Sequence, residues 1–260
     1  MKITKTTLNQ IESYRNDYFT SLPEFQELFL ELMVNRSDYY LLQIENREVG
    51  YAIINSAGVL IEFYVKAKYV PESNILFKLV LRELTVTDIY CKAFDSLLLS
   101  NCMLNNLTYS VIGPLYRDYT EAKIDIDSNI SMVKEGLWSK ELFLMQDCSL
   151  KELYETEGLL VEFLQNENVF TFYKNGELIG CGMVIKTIIG WDYCDLGVWV
   201  HPKNRGCGFG AQILMKLRGF ALTNNLKPSC GCAIENVASQ KTIEKSGFVS
   251  RYQLVNFKTK

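Results

Sequence analysis

The sequence predicts an α/β fold of the α+β type, laid out in two similar halves. Three observations lead there. The order strand, strand, strand, helix, strand, helix, strand is legible twice along the 260 residues. Each copy opens on a hairpin, and Asn46-Arg47-Glu48-Val49-Gly50 resembles Asn175-Gly176-Glu177-Leu178-Ile179-Gly180. Hydrophobic residues make up 48% and aromatics 12% of the chain, enough for two cores in a length that suits two domains.

In the first half, strands at 39–45 and 49–55 flank a turn at Asn46-Arg47, and a β-branched run at 59–65 is the next strand. A helix over 72–84, a strand over 88–93, a helix over 95–105 and a strand over 109–116 complete the copy. The polar stretch 117–130, with Glu121, Asp125 and Asp127, reads as the linker, so the expected domains are 1–120 and 131–260. In the second half, strands at 168–174 and 178–185 flank Asn175-Gly176, a strong hairpin turn. A strand over 191–200 follows, then a helix over 209–222 with apolar residues at helical spacing. A strand over 229–234, a helix over 236–246 and a strand over 249–257 end the chain.

Composition narrows the function. With 27 Lys and Arg against 30 Asp and Glu the net charge is −3, which does not suit a nucleic acid partner. The opening residues Met1-Lys2-Ile3-Thr4-Lys5-Thr6 lack the apolar region of a signal peptide, and no apolar run approaches a membrane span. A cytoplasmic protein, a monomer or homodimer without a membrane partner, is expected. The eight cysteines (Cys91, Cys102, Cys148, Cys181, Cys194, Cys207, Cys230 and Cys232) then read as free thiols. Cys230-Gly231-Cys232 lacks zinc-knuckle spacing and His201 is the single histidine, so no metal site is expected.

The most telling stretch is Val198-Trp199-Val200-His201-Pro202-Lys203-Asn204-Arg205-Gly206-Cys207-Gly208-Phe209-Gly210-Ala211. A strand runs through a proline turn into an arginine, three alternating glycines and an apolar helix. The amides of such a loop and of the first helical turn have no partners within the helix, and the macrodipole adds positive charge there. The arrangement is an anion cradle, most often for a diphosphate. An NTPase loop would end in Gly-Lys-Ser or Gly-Lys-Thr, but Gly210-Ala211-Gln212 follows here. A dinucleotide fingerprint needs Gly-x-Gly-x-x-Gly, whereas the glycines are Gly206, Gly208 and Gly210. What fits is Arg-x-x-Gly-x-Gly starting at Arg205, preceded by Val200-His201-Pro202. That resembles the pyrophosphate motif of the GNAT superfamily of acetyl-CoA-dependent N-acetyltransferases.

A second segment, 235–248, resembles the superfamily's other signature, in which an asparagine closes a strand, a short helix follows and Glu-Lys-x-Gly-Phe ends it. Asn236 is a favoured N-cap, Ser239 and Glu244 fall on the helix, and Gly247 suits the left-handed position after it. The resemblance implies two acetyltransferase-like domains, each a mixed, mostly antiparallel sheet flanked by helices. It also implies that backbone groups of Val198 and Val200 pair with the pantetheine arm of acetyl-CoA. Arg205, Gly206, Cys207, Gly208, Phe209, Gly210 and Ala211 would hold the pyrophosphate, and Asn236 and Ser239 would line the arm near the thioester.

For catalysis, an amine must shed a proton before attack and the thiolate must gain one. Many members use a tyrosine seven residues after the asparagine as the acid; Ile243 stands there. Asp192 and Asp195 lie on the expected strand beside the reaction centre. By alternation Asp195 shares a face with Gly197 and Trp199, and Asp192 one with Cys194 and Val198. An acidic residue at the place of Asp195 occurs in some acetyltransferases of this type, and Asp195 is the expected base, with Glu177 the weaker candidate. A strand-end carboxylate facing solvent is the structural alternative. The first half reads Lys66-Ala67-Lys68-Tyr69-Val70-Pro71-Glu72 where the cradle would be, with no glycine and with Glu72 serving the helix dipole. It is expected to be a degenerate copy without a cofactor. Three functional readings stand at this point: acetyl transfer to an amine of a small molecule or peptide, a CoA-binding pseudo-enzyme or regulatory module, and a two-domain scaffold. Tyr14, Tyr18, Phe19, Trp138 and Phe143 are the aromatic candidates for an acceptor pocket or for the core.

Overall fold

The structure, a computed structural model, describes every residue except Lys123, Asp147 and Lys260, and of Cys148 and Glu152 the backbone only. The described residues form two compact units. Met1–Leu115 make the first, joined by Ala233–Glu235 and the residues from Tyr252 on; Tyr116–Cys232 and Asn236–Arg251 make the second. The residues from Tyr252 on thus group with the first unit, whereas the expected bounds of 1–120 and 131–260 run straight along the chain. The last strand begins in the second unit and ends in the first.

The first unit runs β1 (Lys2–Thr6), α1 (Leu8–Ser21), α2 (Leu28–Val34), β2 (Ser37–Ile44), β3 (Arg47–Asn55), β4 (Val59–Val65), α3 (Ser73–Glu83), β5 (Asp88–Lys92), α4 (Ser96–Leu104) and the start of β6 (Thr108–Tyr119). The hairpin between β2 and β3 turns at Glu45-Asn46, one residue earlier than expected, because both take positive φ (49° and 64°) as a two-residue turn requires. Neighbouring strands are antiparallel except β4 with β5, which run parallel over two pairs, Val59 with Asp88 and Leu60 with Ile89. Leu76, Phe77 and Val80 of α3 pack with Leu60, Phe63 and Val65 of β4 in the core of this unit.

The second unit runs β7 (Ile130–Glu135), α5 (Lys140–Leu144), α6 (Glu157–Gln165), β8 (Val169–Lys174), β9 (Glu177–Lys186), β10 (Tyr193–Val200), α7 (Phe209–Thr223), β11 (Lys227–Gly231), α8 (Val237–Lys245) and β12 (Phe248–Lys258). From Leu254 on, β12 belongs to the first unit and pairs antiparallel with β5, Leu254 opposite Lys92 and Lys258 opposite Asp88. In the second unit β7 to β10 are antiparallel neighbours, and β10 runs parallel to β11 over Tyr193–Asp195 alone. Both units are thus mixed, mostly antiparallel sheets flanked by helices. Strand β10 starts at Tyr193, which leaves Asp192 exposed in the preceding turn, and β11 lies two residues earlier than its sequence suggests.

The register repeats between the copies. Gly50 lies opposite Val65 as Gly180 lies opposite Val200. A Cβ on Gly50 would sit 2.0 Å from the Tyr64 carbonyl oxygen, and one on Gly180 would sit 2.4 Å from that of Trp199. At both positions the facing carbonyl leaves no room for a side chain. The polar stretch expected as a linker begins inside β6 and is then tied down within the second unit. Thr120 donates its amide to Gly247 O, Asp127 donates its amide to Gln212 Oε1, and Lys174 pairs with Asp127. Among the described residues no helix is long and apolar enough to cross a membrane.

Candidate active site

Strand β10 presents two different faces. Cys194, Leu196, Val198 and Val200 pack toward α7, against Ile213, Leu214 and Leu217. The opposite face carries Asp195, Gly197 and Trp199, as alternation requires. On that face the 3₁₀ turn Cys148–Leu153 approaches closely, so that a Cβ on Gly197 would meet Leu153 Cδ2 at 3.1 Å.

The edge of β10 is open beyond its short parallel pairing. His201 donates its amide to Ile179 O at 3.0 Å, which sets the phase of the ladder to β9. Val198 and Val200, one step out of that phase, turn their N–H and C=O groups away from β9. On that side β11 pairs only as far as Asp195 with Ser229, so the two strands part just where Val198 and Val200 begin.

The chain then turns through Pro202–Asn204 into the glycine loop. Gly206 and Gly208 take φ of 78° and 83°, a region open to glycine at no cost, and neither has an atom within 4 Å of where a Cβ would be. Gly208 is the N-cap of α7, and the first amide to rejoin the ladder is that of Gln212, bonded to Gly208 O at 3.4 Å. Among the described residues, no protein acceptor takes the amides from Gly206 to Ala211. Gly210 serves packing instead: a Cβ there would lie 2.8 Å from Thr242 Cγ2 of α8. Arg205 donates from Nε to Val200 O at 3.1 Å and from Nη2 to Ser149 Oγ at 2.7 Å.

Asn236 caps α8, its side chain accepting from the Ser239 amide at 3.0 Å, and Gly247 takes φ of 92° after the last turn. Ser239 hydrogen-bonds the Cys232 thiol, which pulls it down against the upward push of burial. Ile243 is buried in the core, 2% exposed. Asp195 is half-buried, and its charge adds to burial in pushing up the neighbouring Cys194, to about 12, and Cys230. Among the described residues no cluster of three or more His, Cys, Asp or Glu is arranged to hold a metal ion. Of the aromatic candidates, Tyr18, Phe19 and Phe143 are core residues and Tyr14 bonds Glu48; Trp138 is 77% exposed.

The matching region of the first unit is built differently. After Val65 the chain winds through a 3₁₀ turn, Ala67–Glu72, in which Tyr69 donates to Lys66 O and Ser73 to Val70 O. Those two amides are used internally, Pro71 has none to offer, and no glycine opens the turn. Glu72 stands at the N-cap of α3, but its side chain makes no capping bond, so it serves the helix by position only. On the face of β4 that corresponds to Asp195 and Gly197, Glu62 is fully buried and bound by Arg15 of α1.

Comparison with known proteins places this architecture. Residues 7–119 match the acetyltransferase (GNAT) domain, and residues 133–248 match the acetyltransferase (GNAT) family. No curated protein matches. Among solved structures, a GNAT-family acetyltransferase from Colwellia psychrerythraea superposes with a TM-score of 0.89 at 22% identity over 100% of both chains. A tandem GNAT protein from the clavulanic acid biosynthesis pathway gives 0.64 at 13%, covering 98% of this chain and 97% of its own. A GCN5-related N-acetyltransferase from Sphaerobacter thermophilus gives 0.58 at 13%, covering 95% of this chain and 84% of its own. At these identities the structures speak for the fold, and the two sequence matches speak for the family. The chain belongs to the GNAT acetyltransferases and carries two of their domains in tandem.

Proposed function

We propose that the second unit is a cytoplasmic N-acetyltransferase that takes an acetyl group from acetyl-CoA and delivers it by direct attack to an amine of a small molecule or peptide. The observation that carries this reading is the row of unbonded amides from Gly206 to Ala211 beside the edge of Val198 and Val200, which no strand covers and where the Val200 carbonyl is held by Arg205 Nε. A diphosphate needs donors that no protein group already uses, and a pantetheine arm needs a strand edge that no neighbouring strand covers; both lie in one continuous stretch. When bound, acetyl-CoA supplies an activated thioester. Arg205 and the loop amides hold its diphosphate, Val198 and Val200 align its arm, and Asn236 and Ser239 border the arm's end. Asp195, on the opposite face of β10 at the last pair before the strands part, takes the proton of the incoming ammonium. The first unit is read as having no second cradle, since its corresponding turn has no glycine and the Tyr69 and Ser73 amides are bonded within it. A CoA-binding module without turnover is the second reading, and the burial of Ile243 favours it, since no phenol stands at that helix position.

Calorimetry with CoA tests both readings, and turnover with a panel of amines separates them. One equivalent should bind per chain. Gly208→Trp should weaken binding at least about 100-fold with the fold retained, since the site has room but strain of about 1–2 kcal/mol. Two equivalents, or undiminished affinity in a folded Gly208→Trp protein, would remove the loop assignment. Gly210 is a poor choice for this test, because a side chain there strikes Thr242 and disturbs packing.

A chemical footprint gives an independent check. Cys207 is exposed in the loop, whereas Cys91, Cys102, Cys181, Cys194 and Cys230 are buried, and burial pushes their thiols up. A maleimide should label Cys207 first, and acetyl-CoA should slow that labelling several-fold. Cys207→Ser should abolish the protected fraction. Labelling of Cys207 at one rate with and without saturating acetyl-CoA would place the ligand elsewhere.

A further inference from the structure

Ser149 stands at the meeting point of the cofactor loop and the face of β10 that carries Asp195. Its Oγ lies 2.9 Å from Trp199 Nε1 and 2.7 Å from Arg205 Nη2. Indole and guanidinium nitrogens can only donate, so the serine oxygen accepts both with its two lone pairs. Trp199 is 5% exposed and cannot replace that acceptor with bulk water. Arg205, by contrast, is exposed, and its Nε is held by Val200 O at 3.1 Å. Two nitrogens of the guanidinium are thereby committed to the protein, and Nη1 donates to no acceptor among the described residues. A flexible arginine at the mouth of the loop is turned into an oriented one, with one amino group left for an anion.

We infer that Ser149 is a positioning residue for acyl-CoA: it fixes the Arg205 guanidinium at the diphosphate loop and anchors the Trp199 indole on the acceptor face of β10. This rests on the reading of the loop as a diphosphate cradle. Preorganisation is the physical gain. An arginine that binds phosphate from a mobile state loses rotamer freedom on binding, whereas one already held by a carbonyl and a hydroxyl has lost it beforehand. The serine sits on the 3₁₀ turn Cys148–Leu153, which also reaches Gly197 through Leu153. Loss of the hydroxyl releases Arg205 and leaves the Trp199 N–H without its acceptor, but removes no group proposed to touch the reacting atoms.

The test is a comparison of Ser149→Ala and Ser149→Thr with the wild-type chain. Ser149→Ala should raise the Kd for CoA, and the KM for acetyl-CoA, about tenfold, the scale of one hydrogen bond to a charged group. The value of kcat should change less than about threefold, because the proposed base is untouched. Ser149→Thr keeps the hydroxyl and should restore both constants. In an Arg205→Ala background, Ser149→Ala should cost CoA affinity little more, since the group it positions is gone. The indole N–H signal of Trp199 in a nitrogen-proton spectrum should shift in Ser149→Ala and return in Ser149→Thr. If the wild type binds CoA and Ser149→Ala binds it as tightly, Ser149 positions nothing while the cradle stands. A full tenfold cost that persists without Arg205, or a kcat that falls while KM holds, would equally overturn the positioning role. If the wild type binds no CoA, the cradle fails, and the role of Ser149 with it.

Discussion

Asp195→Asn should slow acyl transfer roughly 100-fold or more while leaving CoA affinity unchanged, the loss expected on removal of a direct general base. The substitution keeps the shape of the side chain and removes its ability to take a proton. Asp195 lies opposite Ser229, at the last pair before β10 and β11 part, on the face shared with Gly197 and Trp199. In the proposed reaction a carboxylate there stands beside the gap through which the thioester would reach the amine. The deficit should be largest at pH values where the acceptor is an ammonium and should shrink as pH rises above the pKa of that amine. The rate of CoA release across a pH series, with calorimetry as a control on binding, measures it. A wild-type rate throughout would take Asp195 out of the chemistry. Asp192 is then no close substitute, because it lies in the turn before β10 and is exposed.

How much of this was legible in the sequence depends on the range of the interactions involved. The glycine loop, the Asn236 cap and the left-handed Gly247 are local devices, each specified within a few residues, and each was readable from its neighbours. The hairpins were readable for the same reason, with a one-residue error where Glu45, and not a better turn former, takes the first left-handed position. The passage of β12 from one unit to the other was not readable. Its apolar alternation says that it is a strand and nothing about which strand it joins. Ser149 was equally silent, since a serine in a short 3₁₀ turn carries no pattern and its partners are 50 and 56 residues away. Gly197 did carry a signal, because a glycine inside a strand often marks a close approach, here that of Leu153. The polar interior of the first unit lay furthest out of reach. Arg15 and Glu62 are 47 residues apart, Gln26 and Lys92 are 66 apart, and no spacing rule relates them.

That interior should be the most sensitive place in the first unit. Arg15→Ala should destabilise it by about 3–5 kcal/mol, the cost of removing one partner of a buried ion pair. Arg15 donates from Nε and Nη2 to Glu62 at 3.0 and 2.7 Å, and from Nη1 and Nη2 to Glu31 at 3.2 and 2.7 Å. Gln26 and Tyr51 also donate to Glu62, and Lys92 donates to Gln26. Without the guanidinium, two buried carboxylates face each other with neutral donors and Lys92 alone. Lysine at position 15 would not rescue the site, because a point charge cannot serve two carboxylates as the planar fork does. The pH dependence carries the sharper signature. Burial pushes the Glu62 carboxyl up, but the Arg15 guanidinium, by charge and by hydrogen bonds, and then Lys92, outweigh it and hold it below the usual value. A depressed carboxylate stabilises the fold above its unfolded pKa, and that stability is lost as pH falls through the folded value. Asp95, raised by burial, has the opposite sign, its stability being present at low pH and lost as pH rises. It is common to both proteins and cancels to first order in their difference. In Arg15→Ala burial should win, Glu62 should rise, and acidification should relieve the unpaired charge. The gap between variant and wild type should therefore narrow steadily as pH falls from 7. Hydrogen exchange of the β3 and β4 amides reads this locally, while Trp138, Trp191 and Trp199, all in the second unit, report that unit separately by fluorescence. A gap under about 1 kcal/mol, or one that stays constant with pH, would show that the guanidinium does not hold the buried carboxylates in place.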